Sequence, residues 1–358
     1  MTNTLFDEVR LGSLLLPNRL VMAPMSRTRA GADGVPQPIM ATYYRQRATA
    51  GLIIAEATTP NQVGQTYPDI PGIHRAAQVD GWRRVTAAAG GRMFLQLQHG
   101  GRIGHPDNSG LHPVAPSPIP LPGTIFTRDG HQPTVTPREM TTGEIRATIA
   151  DFAAAAGNAI DAGFAGVEVH AGNGYLLHQF LAQNTNHRTD SYGGPVANRV
   201  RFVVEVVRAV AGAIGAERVG VRVSPGNTAN GIEEGDTGAI YRTLLGELAG
   251  DGLAYLHVAF ADPEDGFFRA EWPGVLIANP ALPWPGPLPE DGGRRAGERL
   301  LAAGADLVSL GRAFLANPDL VARLRAGAPL NPLRGREFMY TGGESGYTDY
   351  PVLDTVAV

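Results

Sequence analysis

The chain has 358 residues, 43% of them hydrophobic, enough to bury one large core, and its formal net charge of −4 comes with no basic run, so nucleic acid and anionic membrane surfaces are not expected partners. The chain contains no lysine, which excludes Schiff-base aldolases, pyridoxal-phosphate enzymes and Walker-type phosphate loops, since all of these need a lysine amine. Zero cysteine likewise removes disulfides, thiolate nucleophiles and iron-sulfur clusters.

In chain order, Asp7, Glu8 and Arg10 precede any long apolar run, and no stretch approaches the ~20 apolar residues of a membrane span. The expectation is a cytoplasmic protein without a signal peptide. Leu11 to Leu16 and Leu20 to Ala23 flank Pro17-Asn18, which reads as a small hairpin closing into the first strand of the main fold. Short apolar runs predict further strands at Leu52 to Ala55, Met93 to Leu97, Gly166 to Val169, Val219 to Val223, Ala254 to Val258, Val275 to Ala278 and Leu307 to Leu310. With the strand ending at Ala23 these make eight. Amphipathic segments such as Glu144 to Asp161 and Asn198 to Ile214 separate most of them. The alternation predicts an α/β fold, a (β/α)8 TIM barrel with an N-terminal β-hairpin, whose functional face is the carboxyl end of the strands. A doubly wound sheet stays open from pattern alone, although no G-x-G-x-x-G follows the first strand. Glycine and proline are spread between the apolar segments, and no shift in composition divides the chain, so residues 1–358 read as a single domain. Two long loops interrupt the alternation: Gly100 to Thr142 after strand 3, which reads as a lid, and Asn279 to Gly293.

The segment Val167 to Phe180 carries the densest chemistry. A buried strand gives way to a helix, and between them His170, Asn173 and Tyr175 bring hydrogen-bond donors and a weak acid together, with Gly172 and Gly174 letting the backbone bend. The other strand ends supply Pro24-Met25-Ser26, Glu56-Ala57-Thr58, Gln96-Leu97-Gln98-His99, Arg222-Val223-Ser224 and Gly311-Arg312. Amides and arginine dominate this inventory. Glycoside hydrolysis needs two facing carboxylates, and only Glu56 is obvious. No metal site is expected, because His170 and His178 do not share one helical face and no H-E-x-x-H occurs. Arg222 reads either as a salt bridge to a neighbouring helix or as a cofactor contact. Gly311-Arg312 reads either as a simple turn or as a phosphate cradle, which barrels often place near strands 7 and 8.

These strand ends, together with Tyr44-Arg45-Gln46-Arg47-Ala48, Gly51 to Thr58, His99-Gly100-Gly101-Arg102, Val114-Ala115-Pro116-Ser117, Asn186 to Gly194, Asn317-Pro318-Asp319-Leu320 and Gly346 to Pro351, resemble the Old Yellow Enzyme family of flavin-dependent ene-reductases over nearly the whole chain. The resemblance implies noncovalent FMN, reduced by NADPH or NADH, passing hydride from its N5 to the β-carbon of a small-molecule activated alkene. That is an NADPH dehydrogenase or ene-reductase acting on α,β-unsaturated carbonyl compounds and also on nitro compounds. By the same resemblance, His170 and Asn173 would bind the substrate carbonyl oxygen and Tyr175 would protonate the α-carbon. Pro24, Met25, Ser26, Ala57, Gln96 and Arg222 would line the flavin ring, Gly311 and Arg312 would hold its phosphate, and Tyr67, Gln98 and Tyr340 would line the substrate pocket.

Three positions depart from the family pattern. Ser26 stands where relatives usually carry threonine or cysteine, Gln98 replaces a usual tryptophan, and Ala278-Asn279-Pro280 opens an insertion where relatives have a glycine-containing phosphate loop. Two other readings stand beside the ene-reductase. A dienoyl-CoA reductase would need an iron-sulfur module, which zero cysteine opposes, and a flavin-binding module without turnover would bleach with NADPH but not recolour with an enone. Nothing in the sequence chooses between NADPH and NADH, or between a monomer and a homo-oligomer.

Overall fold

The structure, a computed structural model, describes residues 3–283, 286–340 and 342–353. It opens with an antiparallel pair, β1 (Val9–Leu11) and β2 (Leu14–Leu16), in which Leu11 lies opposite Leu14 across Gly12-Ser13. Gly12 takes a φ of +56°, the left-handed conformation that a tight hairpin turn requires. The hairpin thus turns upstream of Pro17-Asn18, not around it. Its expected second arm, β3 (Leu20–Met22), lies in a parallel sheet with a neighbour on each edge, so it has no edge left for β2. Asn18 makes the corner between them, its Oδ1 accepting from the N–H groups of Leu20 and Gly51 at 3.1 and 2.9 Å.

After α1 (Pro38–Gln46), β4 (Leu52–Thr58), α2 (Ala76–Ala89) and β5 (Met93–Leu97), the chain makes its long excursion. This stretch holds short elements of its own: α3 (Pro106–Ser109), β6 (Val114–Ala115), the hairpin of β7 (Thr124–Thr127) and β8 (Gly130–Pro133), and β9 (Arg138–Glu139), which pairs with β6. Then come α4 (Thr142–Asp161), β10 (Gly166–Ala171), α5 (Leu176–Leu181), α6 (Val196–Ile214), β11 (Val219–Val223), α7 (Thr237–Leu248), β12 (Tyr255–Ala261), α8 (Phe267–Glu271), β13 (Leu276–Pro280), α9 (Arg294–Ala302) and β14 (Leu307–Leu310). The chain continues through α10 (Arg312–Ala316), α11 (Leu320–Ala326) and α12 (Glu337–Tyr340). Within the second long loop, residues 284–285 lie outside the described residues.

Parallel ladders close β3, β4, β5, β10, β11, β12, β13 and β14 into a barrel, the eight strands read from the sequence. The longer helices cover it because each presents one apolar stripe. In α4 that stripe is Ile145, Phe152, Ala155, Ala156 and Ala159, and a capping box starts the helix, with Thr141 Oγ1 accepting from Glu144 N–H and Glu144 returning the bond to Thr141 N–H. Among the described residues no helix is long and apolar enough to cross a membrane.

The barrel interior changes character along its axis. Leu11 and Leu16 of the hairpin pack with Val21, Ile54, Phe94, Tyr255, Ile277 and Leu307, plugging the amino end of the strands with apolar side chains. Side chains along a strand alternate faces, so two residues onward the same interior face meets Gln96 after Phe94, His257 after Tyr255 and Ser309 after Leu307. All three are buried polar groups. The functional end of the barrel is therefore polar from the inside outward.

Candidate active site

The turn after β10 is built by backbone constraint. Asn173 sits at φ +53° and Gly174 at +79°, and asparagine is one of the few side-chain-bearing residues that tolerates this region. A Cβ on Gly174 would lie 2.6 Å from the Ala229 carbonyl oxygen, and one on Gly172 would lie 2.8 Å from Ser224 Oγ, so both glycines are required by close approach. Asn173 N–H donates to Ser224 Oγ at 2.7 Å, while Asn230 Nδ2 donates to the Asn173 carbonyl at 2.7 Å. Gly174 N–H donates to His178 Nδ1, which leaves the other ring nitrogen to donate to the buried Glu234 at 2.7 Å. His178 is thus the brace of the turn.

Three predicted residues meet here. His170 is buried, its Nδ1 has no hydrogen-bond partner in the protein, and burial, then the Arg222 charge, hold its pKa well below the ordinary value. The imidazole is neutral at physiological pH and keeps one N–H to donate. Asn173 Oδ1 is also buried without a partner. The Tyr175 ring lies 5.4 Å from the His170 ring, and burial, followed by the Tyr67 and Tyr340 hydroxyls, raises its pKa well above 10. The Tyr67 hydroxyl lies close enough to Tyr175 to perturb it, and Ile103, Leu121 and Ile125 of the long excursion pack against both rings. The excursion therefore covers Tyr67 and Tyr175, as a lid would.

Arg222 lies opposite His170 in the β10 to β11 ladder. It is buried, its Nε has no partner in the protein, and Glu168 is the largest influence favouring its charge after burial has opposed it. The alternative of a salt bridge from Arg222 to a covering helix is not what the structure shows, since among the described residues Arg222 appears in no ion pair. Gln96 donates through Nε2 to Glu168 Oε1 at 2.8 Å. Pro24, Met25 and Ser26 follow β3, and a Cβ on Gly311 would lie 3.2 Å from Met25 Sδ, which brings the ends of β3 and β14 side by side. Ala57 and Gln98 are buried in or just after neighbouring strands, with Gln98 N–H donating to the Thr58 carbonyl at 3.0 Å. Arg312 opens α10, and its guanidinium donates to the carbonyls of Gly286 and Pro283 at 2.7 and 2.5 Å. It ties the second long loop to the end of β14.

Several residues of this face were not singled out from sequence. Ser224 and Asn230 hold Asn173, while Glu168 and His257 meet inside the barrel at 2.7 Å. Arg27 and Arg29 donate to the carbonyls of Met339, Gly346 and Phe338, anchoring the segment that carries Tyr340. A histidine inside the apolar run Ala254 to Val258 was the available signal for His257. Nothing local marks Arg27 or Arg29.

Neutral donors, a weak acid and a partly unsatisfied guanidinium at strand ends put this chain among barrel enzymes that grip and orient a bound group, not those that hydrolyse with facing carboxylates. Residues 4–331 match the NADH:flavin oxidoreductase / NADH oxidase family. The chain belongs to that family of oxidoreductases, the Old Yellow Enzyme family that its strand-end motifs resemble. It is 42% identical to a probable flavin mononucleotide-dependent alkene reductase of Leishmania infantum, over 98% of each chain. Among solved structures, morphinone reductase in complex with tetrahydroNAD is 43% identical with a TM-score of 0.91, covering 99% of each chain. The old yellow enzyme homologue from Zymomonas mobilis is 39% identical with a TM-score of 0.91, over 98% of this chain and 100% of that one.

Proposed function

We propose that the protein is an FMN-dependent ene-reductase that takes reducing equivalents from NADH or NADPH and reduces the C=C bond of α,β-unsaturated carbonyl compounds, with nitro-activated alkenes as further substrates. The observation that carries this reading is the set of buried, unpartnered polar atoms, His170 Nδ1, Asn173 Oδ1 and Arg222 Nε, at the barrel's carboxyl end beside a phenol held protonated. Leaving a buried polar atom unpaired costs about 1–3 kcal/mol, so such a cluster suits a polar partner from outside the chain. FMN fits that need: Gln96 and Arg222 would bond its pyrimidine edge, Pro24, Met25, Ser26 and Ala57 would line its ring, and Gly311 and Arg312 would hold its phosphate. Bound there, the cofactor supplies a hydride to the alkene β-carbon.

The chain's own residues do the rest. His170 through its ring N–H and Asn173 through its Nδ2 amide, not its Oδ1, donate to the substrate oxygen, where charge accumulates as the β-carbon accepts hydride. Donors already fixed by the turn stabilise the transition state more than the ground state, and one such donor is commonly worth about 2.7–4 kcal/mol. Tyr175 then gives its hydroxyl proton to the α-carbon. Its raised pKa, which burial and then the neighbouring Tyr67 hydroxyl produce, keeps that proton in place at neutral pH. Tyr67, Gln98 and Tyr340 would bound the substrate's carbon skeleton.

The test separates the two half-reactions. Adding NADPH or NADH anaerobically to the purified protein should bleach its visible flavin absorption, and cyclohexenone should then restore it. In Tyr175→Phe the bleaching rate should stay near normal while recolouring slows by ~10² or more. Bleaching that no enone reverses in the unmodified protein would leave a flavin binder without turnover. Unchanged recolouring in Tyr175→Phe would mean that another group supplies the proton.

A further inference from the structure

Inside the barrel, directly beneath the residues assigned to the flavin, lies a buried acid that the reaction above does not use. Glu168 precedes His170 by two positions on β10, so both side chains enter the barrel interior. No part of Glu168 reaches solvent. Its Oε1 accepts from Gln96 Nε2 at 2.8 Å, its Oε2 meets His257 Nδ1 at 2.7 Å, and His257 Nε2 meets Ser309 Oγ at 2.8 Å. Burial opposes ionisation of Glu168, but His257, Arg222 and the Gln96 amide outweigh it and hold the carboxylate below its ordinary pKa. Burial and the Arg222 charge keep His257 itself neutral against the pull of Glu168. With an ionised acid and a neutral imidazole, Nδ1–H donates to Glu168 and Nε2 accepts from the Ser309 hydroxyl. The charge that balances Glu168 is then Arg222, which lies across from His170 on one side and from His257 on the other.

We propose that Glu168 is a positioning residue that sets the reduction potential of bound FMN, by fixing the Gln96 amide and by offsetting the charge of Arg222. This rests on the reading that places the flavin against Gln96 and Arg222. Uptake of two electrons and one proton leaves the flavin ring with one negative charge. A guanidinium at the ring edge favours that state, and a carboxylate close behind the guanidinium opposes it. In a buried site neither effect is screened by salt as it would be at the surface. Glu168 therefore holds the cofactor less oxidising than Arg222 alone would make it, which favours passing hydride on.

Glu168→Gln removes the charge with almost no change of shape. The new amide oxygen can still accept from Gln96, and its NH2 can donate to His257 Nδ1, with the imidazole proton moving to Nε2 and donating to Ser309. Gln96, His257 and Ser309 each keep a partner, so the variant is expected to fold and load with FMN. Its potential, measured by dye equilibration, should rise by at least tenfold in the reduced-to-oxidised ratio, ~30 mV for a two-electron couple. By linkage, the preference of the apoprotein for reduced over oxidised FMN should rise by the same factor. Glu168→Asp, one methylene shorter, draws the charge back from Arg222 and should move the potential in the same direction by less, which gives a second route if Glu168→Gln does not fold. FMN held tightly with an unmoved or lowered potential in the variants overturns the inference and leaves the ene-reductase reading intact. Unmodified protein that binds no FMN overturns both.

Discussion

Glu56→Gln probes a buried carboxyl for which the structure supplies both the sign and the size of the effect. Glu56 is fully buried at the end of β4, its Oε2 accepting from Arg27 N–H at 3.1 Å and its Oε1 from the Tyr44 hydroxyl at 3.2 Å. Burial is the largest influence on it and is only partly offset by those bonds and by the charges of Arg27 and Arg29, so its pKa is pushed from 4.5 up to about 7. A carboxyl whose folded pKa exceeds its unfolded pKa makes the folded state bind more protons between the two values. The resulting stability is fully present below the unfolded pKa and is lost as pH rises through the folded one. At 1.36 kcal/mol per unit, the shift amounts to about 3 kcal/mol across that window. Glutamine keeps the shape and an acceptor for Arg27 N–H without the charge. Urea unfolding followed by tryptophan fluorescence, run on both proteins from about pH 5 to about pH 8, should show the variant gaining on the parent as pH rises, by about 2–3 kcal/mol. A difference that stays flat with pH, or one that turns against the variant above neutrality, would refute the reasoning. Because Arg27 and Arg29 clamp the Tyr340 segment, that loss of stability should also loosen this segment, which the proposed function places beside the substrate.

Two further outcomes follow from the site. Arg222→Ala and Arg312→Ala should each weaken FMN retention in equilibrium dialysis, the first by removing charge at the ring edge and the second by freeing the loop at Pro283 and Gly286 from the start of α10; full retention in both would misplace the cofactor. Gln98→Trp should lower kcat/KM for a bulky 3-substituted cyclohexenone far more than for cyclohexenone and change the product enantiomer ratio, since it would put a rigid wall at a buried position that the proposed function assigns to the substrate pocket; equal losses on both enones with an unchanged ratio would mean that another side chain already closes that space.

The eight barrel strands were legible because a strand buried on both faces of a parallel sheet reads as a continuous apolar run, and Met93 to Leu97, Val219 to Val223 and Leu307 to Leu310 end where those runs end. The hairpin was not. Leu14–Leu16 and Leu20–Met22 are equally apolar, and Pro17-Asn18 is a stronger local turn signal than Gly12-Ser13, so only the barrel's demand for β3 on both edges decides the pairing. The carboxyl ends of β12 and β13 also run past the sequence reading, to Ala261 and Pro280. There Phe260 at φ +58° and a shift in register let the strand continue through residues with no strand pattern.

The site divides along the same line. His170, Asn173 and Tyr175 could be read together because one turn supplies all three, and a turn is a local event. Glu168, His257 and Ser309 could not, because their bonds join residues 89 and 52 positions apart and exist only once the register of five neighbouring strands is set. Yet the rule that assembles them is simple. Each occupies the interior position two residues beyond an apolar plug residue or two before a site residue, so strand periodicity applied around a closed barrel places the whole polar layer. A local motif thus names the groups that would touch substrate, whereas the groups that would tune them appear only when the strands are laid side by side. In this chain the second set is where a change of charge would act on the flavin without touching the alkene.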